Sequence, residues 1–319
     1  GKTLLAFEKA RRAFAQGERV GYFCFNSPLA SWSKEQLCPW MTDGSYVGTF
    51  HAFMISKDKR GKGGFENDYF SNVLPQILVD EGLLRDVSFD RIIVDEVQDL
   101  ITDEYLAVFD CILKDGLDRG GWSFFGDFAR QAIYQRGSSK GKILALLDGY
   151  STYAKASLIF NCRNTKSIGT QTQLITGLEG RFPTDAVVGE PVTFKQWHSE
   201  EDEERLLVQV LTDLLGQGIQ QEDIVILTPL APEDSIASRA SSAIPLRRVS
   251  GANGILFASI ASFKGLESKV IVIADCTSYA DSSLYYVGIT RARAKLCILE
   301  NAAAYSQRVT LMKERLNEQ

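Results

Sequence analysis

The chain opens with a lysine and a hydroxyl residue directly before a helical stretch. These residues are Lys2 and Thr3, preceded by Gly1, and the apolar spacing that follows predicts a helix over residues 3–16. The same order ends the phosphate-binding loop GxxxxGK[ST], in which backbone amides surround phosphates, the lysine reaches their oxygens and the hydroxyl binds Mg²⁺. These three residues can also begin an ordinary helix, so the match alone does not distinguish a phosphate-binding loop from an ordinary helix start.

Two adjacent carboxylates follow an apolar strand predicted over residues 91–94. Asp95 and Glu96 would then lie at the carboxyl edge of a parallel sheet, where open α/β sheets bind ligands. One such carboxylate can hold Mg²⁺, and the next can orient or deprotonate an attacking water. Acidic residues also end strands and begin helices without a chemical role. Their combination with the opening Gly1-Lys2-Thr3 favours a nucleotide site.

Short apolar strands alternate with amphipathic helices along the chain, which predicts an α/β fold with parallel sheets flanked by helices. A chain of 319 residues is long enough for two such domains, and a polar, glycine-bearing segment places their boundary near Ser151. The predicted domains are 1–152 and 153–319. Strands are predicted over residues 20–25, 91–94, 123–125, 158–160, 224–227, 255–259, 270–274 and 295–299.

Composition limits the class of protein but does not choose a function. No apolar run approaches the roughly 20 residues that cross a bilayer. Six scattered cysteines without a CxxC pair argue against a zinc site and predict reduced, mostly buried thiols in a cytoplasmic protein. The net charge of −5 argues against a uniformly basic nucleic-acid binder, although a local cationic groove can lie on an acidic protein.

Five segments resemble, in order, the motifs of superfamily 1 helicases of the UvrD/Rep type. The matches extend over almost the whole chain, and five ordered matches are specific. The resemblance implies an α/β fold of two tandem RecA-like P-loop NTPase domains that bind ATP and Mg²⁺ between them. The matching segments are 95–99 (DEVQD), Gly126-Asp127 with Gln131, Ile133 and Tyr134, 158–165 (LIFNCRNT), 263–267 (FKGLE) and 286–293 (YVGITRAR).

The resemblance also implies a role for each matched residue. The first domain would bind the nucleotide and its metal ion, and the second would supply arginines to the γ-phosphate. Contacts to the nucleotide would come from Gly1, Lys2, Thr3, Gln98 and Gly265, and Mg²⁺ would be bound by Thr3 and Asp95. Glu96 would be the catalytic base, and Gln131 would sense the γ-phosphate. Arg163 and Arg291 would approach the γ-phosphate, and Glu267 would lie near the ribose or the phosphates.

Contacts to single-stranded DNA are implied for Thr49, His51 and Tyr134. A Thr-Phe-His sequence is also a common end for a buried strand, so both interpretations stand for Thr49 and His51.

The segment from Cys24 to Leu29 resembles the nuclease-linked bacterial members of the family, and we expect a nuclease or another domain upstream. Because this chain begins within the phosphate loop, we expect a fragment of a larger ATPase that binds ATP weakly by itself.

Several positions depart from the family pattern. Three residues separate Asp127 from Gln131 where the family has two, so a gapless match puts Arg130 at the glutamine position. The base-stacking tryptophan expected after Tyr134 is absent, and Cys162 replaces the tyrosine that stacks on adenine. Only 43 residues separate His51 from Asp95, which leaves no room for a large inserted subdomain. The leading interpretation is therefore a compact translocase or helicase core, and the alternative is a nucleotide-dependent switch that does not unwind duplexes.

Overall fold

The computed structural model describes residues 1–58, 69–127, 140–178, 180–240, 243–248 and 253–317. The chain divides into two compact units, Gly1–Leu158 and Ile159–Gln319, and each contains one sheet of parallel strands flanked by helices. The predicted α/β class with parallel sheets is confirmed. The domain ranges 1–152 and 153–319, and the assignment of both domains to the RecA-like P-loop class, stay predictions. In the described part of the chain, no helix combines the length and the apolar character needed to span a bilayer.

The first unit is built on a four-stranded sheet in the order β2-β1-β3-β4. Every neighbouring pair is parallel, so the carboxyl ends of all four strands meet at one edge. Its elements are α1 (Lys2–Ala15), β1 (Val20–Cys24), α2 (Ser27–Leu37), β2 (Tyr46–Thr49), α3 (Phe50–Lys57), α4 (Leu74–Asp80), β3 (Arg91–Asp95), α5 (Asp103–Ile112), α6 (Gly116–Arg119), β4 (Gly121–Phe125) and α7 (Lys140–Tyr150).

Helices bury both faces of this sheet. On one face, Ala10 and Phe14 of α1 pack against Tyr22 of β1, and the small alanines let the helix lie close to the strand. On the other face, Phe23 of β1 meets Phe50 at the start of α3, with ring centroids 5.5 Å apart. Edge-to-face aromatic packing of this kind fixes the orientation of the strand as well as burying it. The core therefore holds the ends of β1, β2 and β3 in place.

The second unit is built on a six-stranded sheet in the order β5-β10-β9-β6-β8-β7, again with parallel neighbours. A helix with an acidic first turn begins at Glu200, and the Ser199 side chain caps this helix by accepting from the Asp202 amide at 3.2 Å. The elements are α8 (Lys166–Thr176), β5 (Thr193–Trp197), α9 (Glu200–Gly216), β6 (Ile224–Thr228), α10 (Ile236–Ala240), β7 (Leu246–Arg247), β8 (Ile255–Ser259), β9 (Ser268–Cys276), α11 (Ser282–Ile289), β10 (Ala292–Asn301) and α12 (Ala302–Asn317).

One predicted strand is wrong. Leu158, Ile159 and Phe160 are 59%, 57% and 53% exposed, and the segment makes only an isolated bridge between Phe160 and Arg181. A run of three apolar residues becomes a strand only where a neighbouring strand supplies hydrogen bonds and a covered face. Neither described sheet includes this segment, so its apolar character does not produce a strand.

The cysteine prediction is half correct. No disulfide joins the six cysteines, all of which lie in described residues. Cys24, Cys276 and Cys297 are buried at the strands of the two sheets, whereas Cys38, Cys111 and Cys162 are exposed. The prediction of mostly buried thiols is therefore wrong for three of the six, because composition does not place a small apolar residue on a particular face.

A buried polar network lies at the carboxyl ends of β6 and β9. Asp275 has a left-handed backbone (φ 60°), and its carboxylate accepts from the hydroxyls of Thr228 at 2.7 Å and Ser235 at 2.5 Å. The Asp275 amide in turn donates to Glu203 Oε1 at 2.6 Å. Glu203 is 2% exposed. Burial, with the charge of Asp275 as a smaller contribution, raises the pKa of Glu203 to about 8, although the amide bond opposes the rise.

This raised pKa predicts a pH-dependent stability. The folded protein holds a proton on Glu203 up to about pH 8, whereas the unfolded chain releases it near the ordinary pKa of 4.5. As the pH rises from 4.5 to about 8, the free energy of unfolding should therefore fall by about 1.4 kcal/mol for each pH unit. Glu203→Gln keeps an acceptor for the Asp275 amide and removes the titration. Urea unfolding at several pH values should show a shallower dependence for Glu203→Gln, and a slope equal to that of the wild type would contradict the prediction.

Candidate functional site

The carboxyl edge of the first sheet faces the start of α1. Gly1 is the N-cap residue of α1, Lys2 and Thr3 form its first turn, and that turn carries no acidic side chain. The first amides of a helix and its dipole favour an anion at this end. A phosphate group at this position would therefore meet both backbone donors and the Lys2 ammonium group.

Asp95 ends β3 and is fully buried. Its carboxylate accepts from the Glu96 amide at 3.0 Å and lies 3.4 Å from the Tyr22 hydroxyl. Burial first, and the neighbouring charge of Glu96 second, raise the pKa of Asp95 well above its usual range, although the Thr3 hydroxyl and the charge of Lys2 act in the opposite direction. Two buried carboxylates side by side are costly unless a cation offsets them.

The donor set at this position suits Mg²⁺. The Thr3 hydroxyl lies close enough to the Asp95 carboxylate to lower its pKa, so two hard oxygen donors lie next to each other. Mg²⁺ binds through one or two carboxylates, several waters and the phosphates of its substrate, in preference to an all-protein cage. The residues that the structure describes contain no cluster of three or more histidine, cysteine or carboxylate side chains arranged to hold a metal ion.

Glu96 lies next to this pair in a strained conformation. Its backbone is left-handed (φ 52°), which costs a non-glycine residue about 1–3 kcal/mol. The Gln98 amide group donates to Glu96 Oε2 at 2.6 Å. On its other side, the Gln98 side-chain oxygen accepts from the Asp127 amide at 2.9 Å. Strain held in place by buried partners is typical of functional positions, and Gln98 here fixes the direction of the Glu96 carboxylate.

Gly126 makes the Gln98 contact possible. A Cβ atom at this position would lie 2.7 Å from the Gln98 side-chain oxygen and 2.9 Å from a methyl group of Val97. The glycine therefore lets the end of β4 approach the segment that follows β3. Lys2 completes the cluster, with its Nζ atom 3.9 Å from Asp127 Oδ2. The structure thus brings together Lys2, Thr3, Asp95, Glu96 and Gln98, whereas Gln131, Tyr134 and the alternative Arg130 lie outside the described residues.

Two of the three candidates for contact with nucleic acid, Thr49 and His51, have partners within the first unit. The Thr49 hydroxyl accepts from the Ala52 amide at 3.2 Å and so caps α3. The His51 Nε2 atom is 2.8 Å from the Tyr105 hydroxyl, and the ring packs edge-on against Phe25 and Tyr105. Burial lowers the pKa of His51, so at neutral pH the ring offers a hydrogen bond without a positive charge.

In the second unit, Arg163 and Arg293 share one carboxylate. Arg163 Nε donates to Glu267 Oε2 at 2.8 Å, and Arg293 Nε lies 3.5 Å from Glu267 Oε1. Gly265, with a φ of 86°, makes the turn that leads to Glu267. All three charged side chains are partly exposed. Ion pairs in such positions contribute about 0–1 kcal/mol, so a phosphate can displace the carboxylate at little cost.

Arg291 has a different environment. It is fully buried, and its guanidinium donates to the carbonyl oxygens of Val287 at 2.9 Å and Leu266 at 3.2 Å, and to the Thr290 hydroxyl at 3.2 Å. Turning it outward would remove these bonds, and each buried polar group left without its partner costs about 1–3 kcal/mol. As placed here, Arg291 joins α11 to the turn that precedes β9.

Asn164 is a positioning residue that the sequence did not single out. Its buried amide donates to the carbonyl oxygens of Thr290 at 3.0 Å and Ala292 at 2.5 Å. The neighbouring Asn161 side chain accepts from the Arg163 amide at 3.0 Å. The loop that carries Arg163 is therefore tied to the segment that carries Arg293. The available signal was a second asparagine, three residues after Asn161, in the 158–165 segment.

Comparisons with known proteins add little to this geometry. No model of a known protein family matches the sequence, and no curated protein matches it. Among solved structures, the chain is similar to the C-terminal domain of a possible DNA helicase from Lactobacillus plantarum WCFS1, with 14% sequence identity and a TM-score of 0.34. The match covers 47% of this chain and 95% of that domain. A similarity this weak supports neither a fold nor a function for this chain, so the proposed function rests on the residues of the chain itself.

Proposed function

We propose that the intact protein is an ATP-hydrolysing motor of the superfamily 1 helicase type that moves along single-stranded DNA. In this proposal both units are RecA-like domains, the first binding ATP and Mg²⁺ and the second supplying arginines. One observation carries it: Thr3, Asp95 and Glu96 meet at the carboxyl edge of a parallel sheet, beside the start of α1. This is where a P-loop NTPase binds its nucleotide and metal ion.

Each side chain of the cluster has a task in hydrolysis. Lys2 and the first amides of α1 bind the phosphates, and Thr3 and Asp95 hold the metal ion. A Mg²⁺ ion held by Thr3 and Asp95 would offset the charge that develops on the phosphate oxygens. Glu96 takes a proton from the attacking water as the water oxygen bonds to the γ-phosphorus. The bond from that phosphorus to its bridging oxygen breaks, which leaves ADP and inorganic phosphate.

The arginines of the second unit make hydrolysis depend on its position. A guanidinium that contacts the γ-phosphate can contribute about 10³–10⁵ in rate. Arg163 suits this task because it is partly exposed and held by an ion pair that a phosphate can replace. Closure of the two units around ATP and reopening after hydrolysis would then convert nucleotide state into a change of spacing. A DNA strand bound by both units would be moved by that change.

ATP turnover by the intact protein, with and without a single-stranded oligonucleotide, tests the proposal. We expect phosphate release that requires Mg²⁺ and rises at least several-fold when the oligonucleotide is added. The duplex of the same sequence, without a single-stranded tail, is the control and should stimulate less. Turnover that is the same with and without the oligonucleotide would argue against a translocase.

A nucleotide-dependent switch is the second candidate, and one observation favours it. Thr49 and His51, two of the three residues expected to contact nucleic acid, are bonded to Ala52 and Tyr105 within the first unit. A switch would close on ATP without displacing a strand. Unwinding of a tailed duplex by the intact protein would eliminate this candidate, whereas ATP-dependent closure measured by energy transfer between the units, without unwinding, would favour it.

A further inference from the structure

The segment 286–293 contains two arginines in opposite environments. Arg291 is fully buried and donates to the carbonyl oxygens of Val287 and Leu266. Arg293, two residues later, has a side chain that is 54% exposed and lies beside Glu267. A residue that contacts a phosphate must have donors that it can direct outward. The two arginines are therefore not equivalent candidates.

We propose that Arg293 is the second cation that contacts the nucleotide phosphates, as a partner of Arg163, while Arg291 holds the fold of the segment. Glu267 holds both guanidinium groups until a phosphate replaces it. This inference rests on the proposed function and changes one of its assignments, because the resemblance points to Arg291 for this role.

The geometry of Glu267 is the first argument. Its two carboxylate oxygens are divided between the two arginines, Oε2 with Arg163 at 2.8 Å and Oε1 with Arg293 at 3.5 Å. The two guanidinium groups therefore lie on either side of one carboxylate and carry a net charge of +1 together with it. A terminal phosphoryl group has more charge and three oxygens, and arginine binds phosphate through two parallel hydrogen bonds. A phosphate is thus a better partner for this pair than the carboxylate is.

The backbone at Arg293 is the second argument. The pairing of β10 with β9 shifts register between Ala292 and Lys295, so Arg293 lies within an irregular part of the strand. Bulges of this kind redirect a side chain and are frequent next to active sites. The Asn164 amide holds the neighbouring Ala292 carbonyl oxygen at 2.5 Å, which fixes the irregular segment relative to the loop that carries Arg163.

The test compares single substitutions in the intact protein by steady-state ATP hydrolysis and thermal unfolding. Arg293→Ala should lower kcat by about 10²-fold or more, as removal of one donor to a developing charge does, and leave Tm unchanged. Arg291→Ala should lower Tm, because it removes buried hydrogen bonds, and Arg291→Lys should keep more activity than Arg293→Lys. The matched control is Arg205→Ala, which removes an exposed arginine paired with Asp202 on α9 and should change neither quantity.

Glu267→Gln supplies a readout that a structural role would not change. The amide keeps the shape of the side chain but no longer competes with phosphate for the arginines, so KM for ATP should fall severalfold. The inference is overturned if Arg293→Ala behaves like Arg205→Ala, or if Arg291→Lys loses as much kcat as Arg293→Ala at an unchanged Tm. If instead the wild-type protein binds and hydrolyses no ATP, the proposed function fails and this inference fails with it.

Discussion

Arg163→Ala should reduce ATP turnover by about 10³-fold or more in the intact protein. In the proposed mechanism the Arg163 guanidinium leaves Glu267 and stabilises the charge that develops on the γ-phosphoryl oxygens. Its ion pair with Glu267, at 2.8 Å, is partly exposed, so its loss should have little effect on stability. The measurement is kcat from phosphate release at saturating ATP and oligonucleotide, together with Tm for the same samples.

Two variants make this result specific. Arg163→Lys keeps a positive charge but not the planar pair of donors, and it should recover only part of the lost rate. Arg205→Ala removes one exposed arginine elsewhere in the second unit and should match the wild type. A kcat for Arg163→Ala within threefold of the wild type would remove Arg163 from the mechanism, and a lowered Tm would show that its role is structural.

Glu96→Gln should reduce turnover by about 10²–10⁴-fold, the usual contribution of a general base. The amide is nearly the same size and can keep a hydrogen bond to Gln98, but it cannot accept a proton from the attacking water. Binding of ATP should persist, because in the proposed site the phosphate contacts come from Lys2 and the start of α1. Single-turnover hydrolysis and binding of a fluorescent ATP analogue separate the two effects.

The control for Glu96→Gln is Glu35→Gln, which makes the same change at an exposed position of α2. That variant should hydrolyse ATP at the wild-type rate. A Glu96→Gln protein with unchanged turnover would contradict the assignment of the base. A protein that loses binding as well as turnover would show that Glu96 is needed to form the nucleotide site, and the strained backbone at this residue would then be its main feature.

Simple physical rules predicted from the sequence that Thr3, Asp95 and Glu96 lie close together. The apolar runs before residues 25 and 95 form the central strands β1 and β3, because β-branched and aromatic residues bury well in a parallel sheet. Parallel strands end at one edge, so carboxylates that follow one strand lie near the helix that begins at the same edge. The contact between Thr3 and Asp95 follows from that rule.

The arrangement of the arginines around Glu267 could not be predicted in the same way. Whether Arg291 or Arg293 is buried depends on how α11 packs against the turn before β9, and two neighbouring arginines give no sign of that packing. The Asn164 amide acts through contacts more than 120 residues away along the chain. The edge strand β5 (Thr193–Trp197) was missed because its half-buried, partly charged sequence lacks a continuous apolar run.

The central claim is that Lys2, Thr3, Asp95 and Glu96 form an ATP site. The most direct measurement is a calorimetric titration of the intact Glu96→Gln protein with ATP in the presence of Mg²⁺, because slow turnover leaves binding at equilibrium. We predict saturable binding of one ATP per chain that weakens when Mg²⁺ is removed. Absence of saturable binding, or binding that is unaffected by Mg²⁺, would contradict the claim.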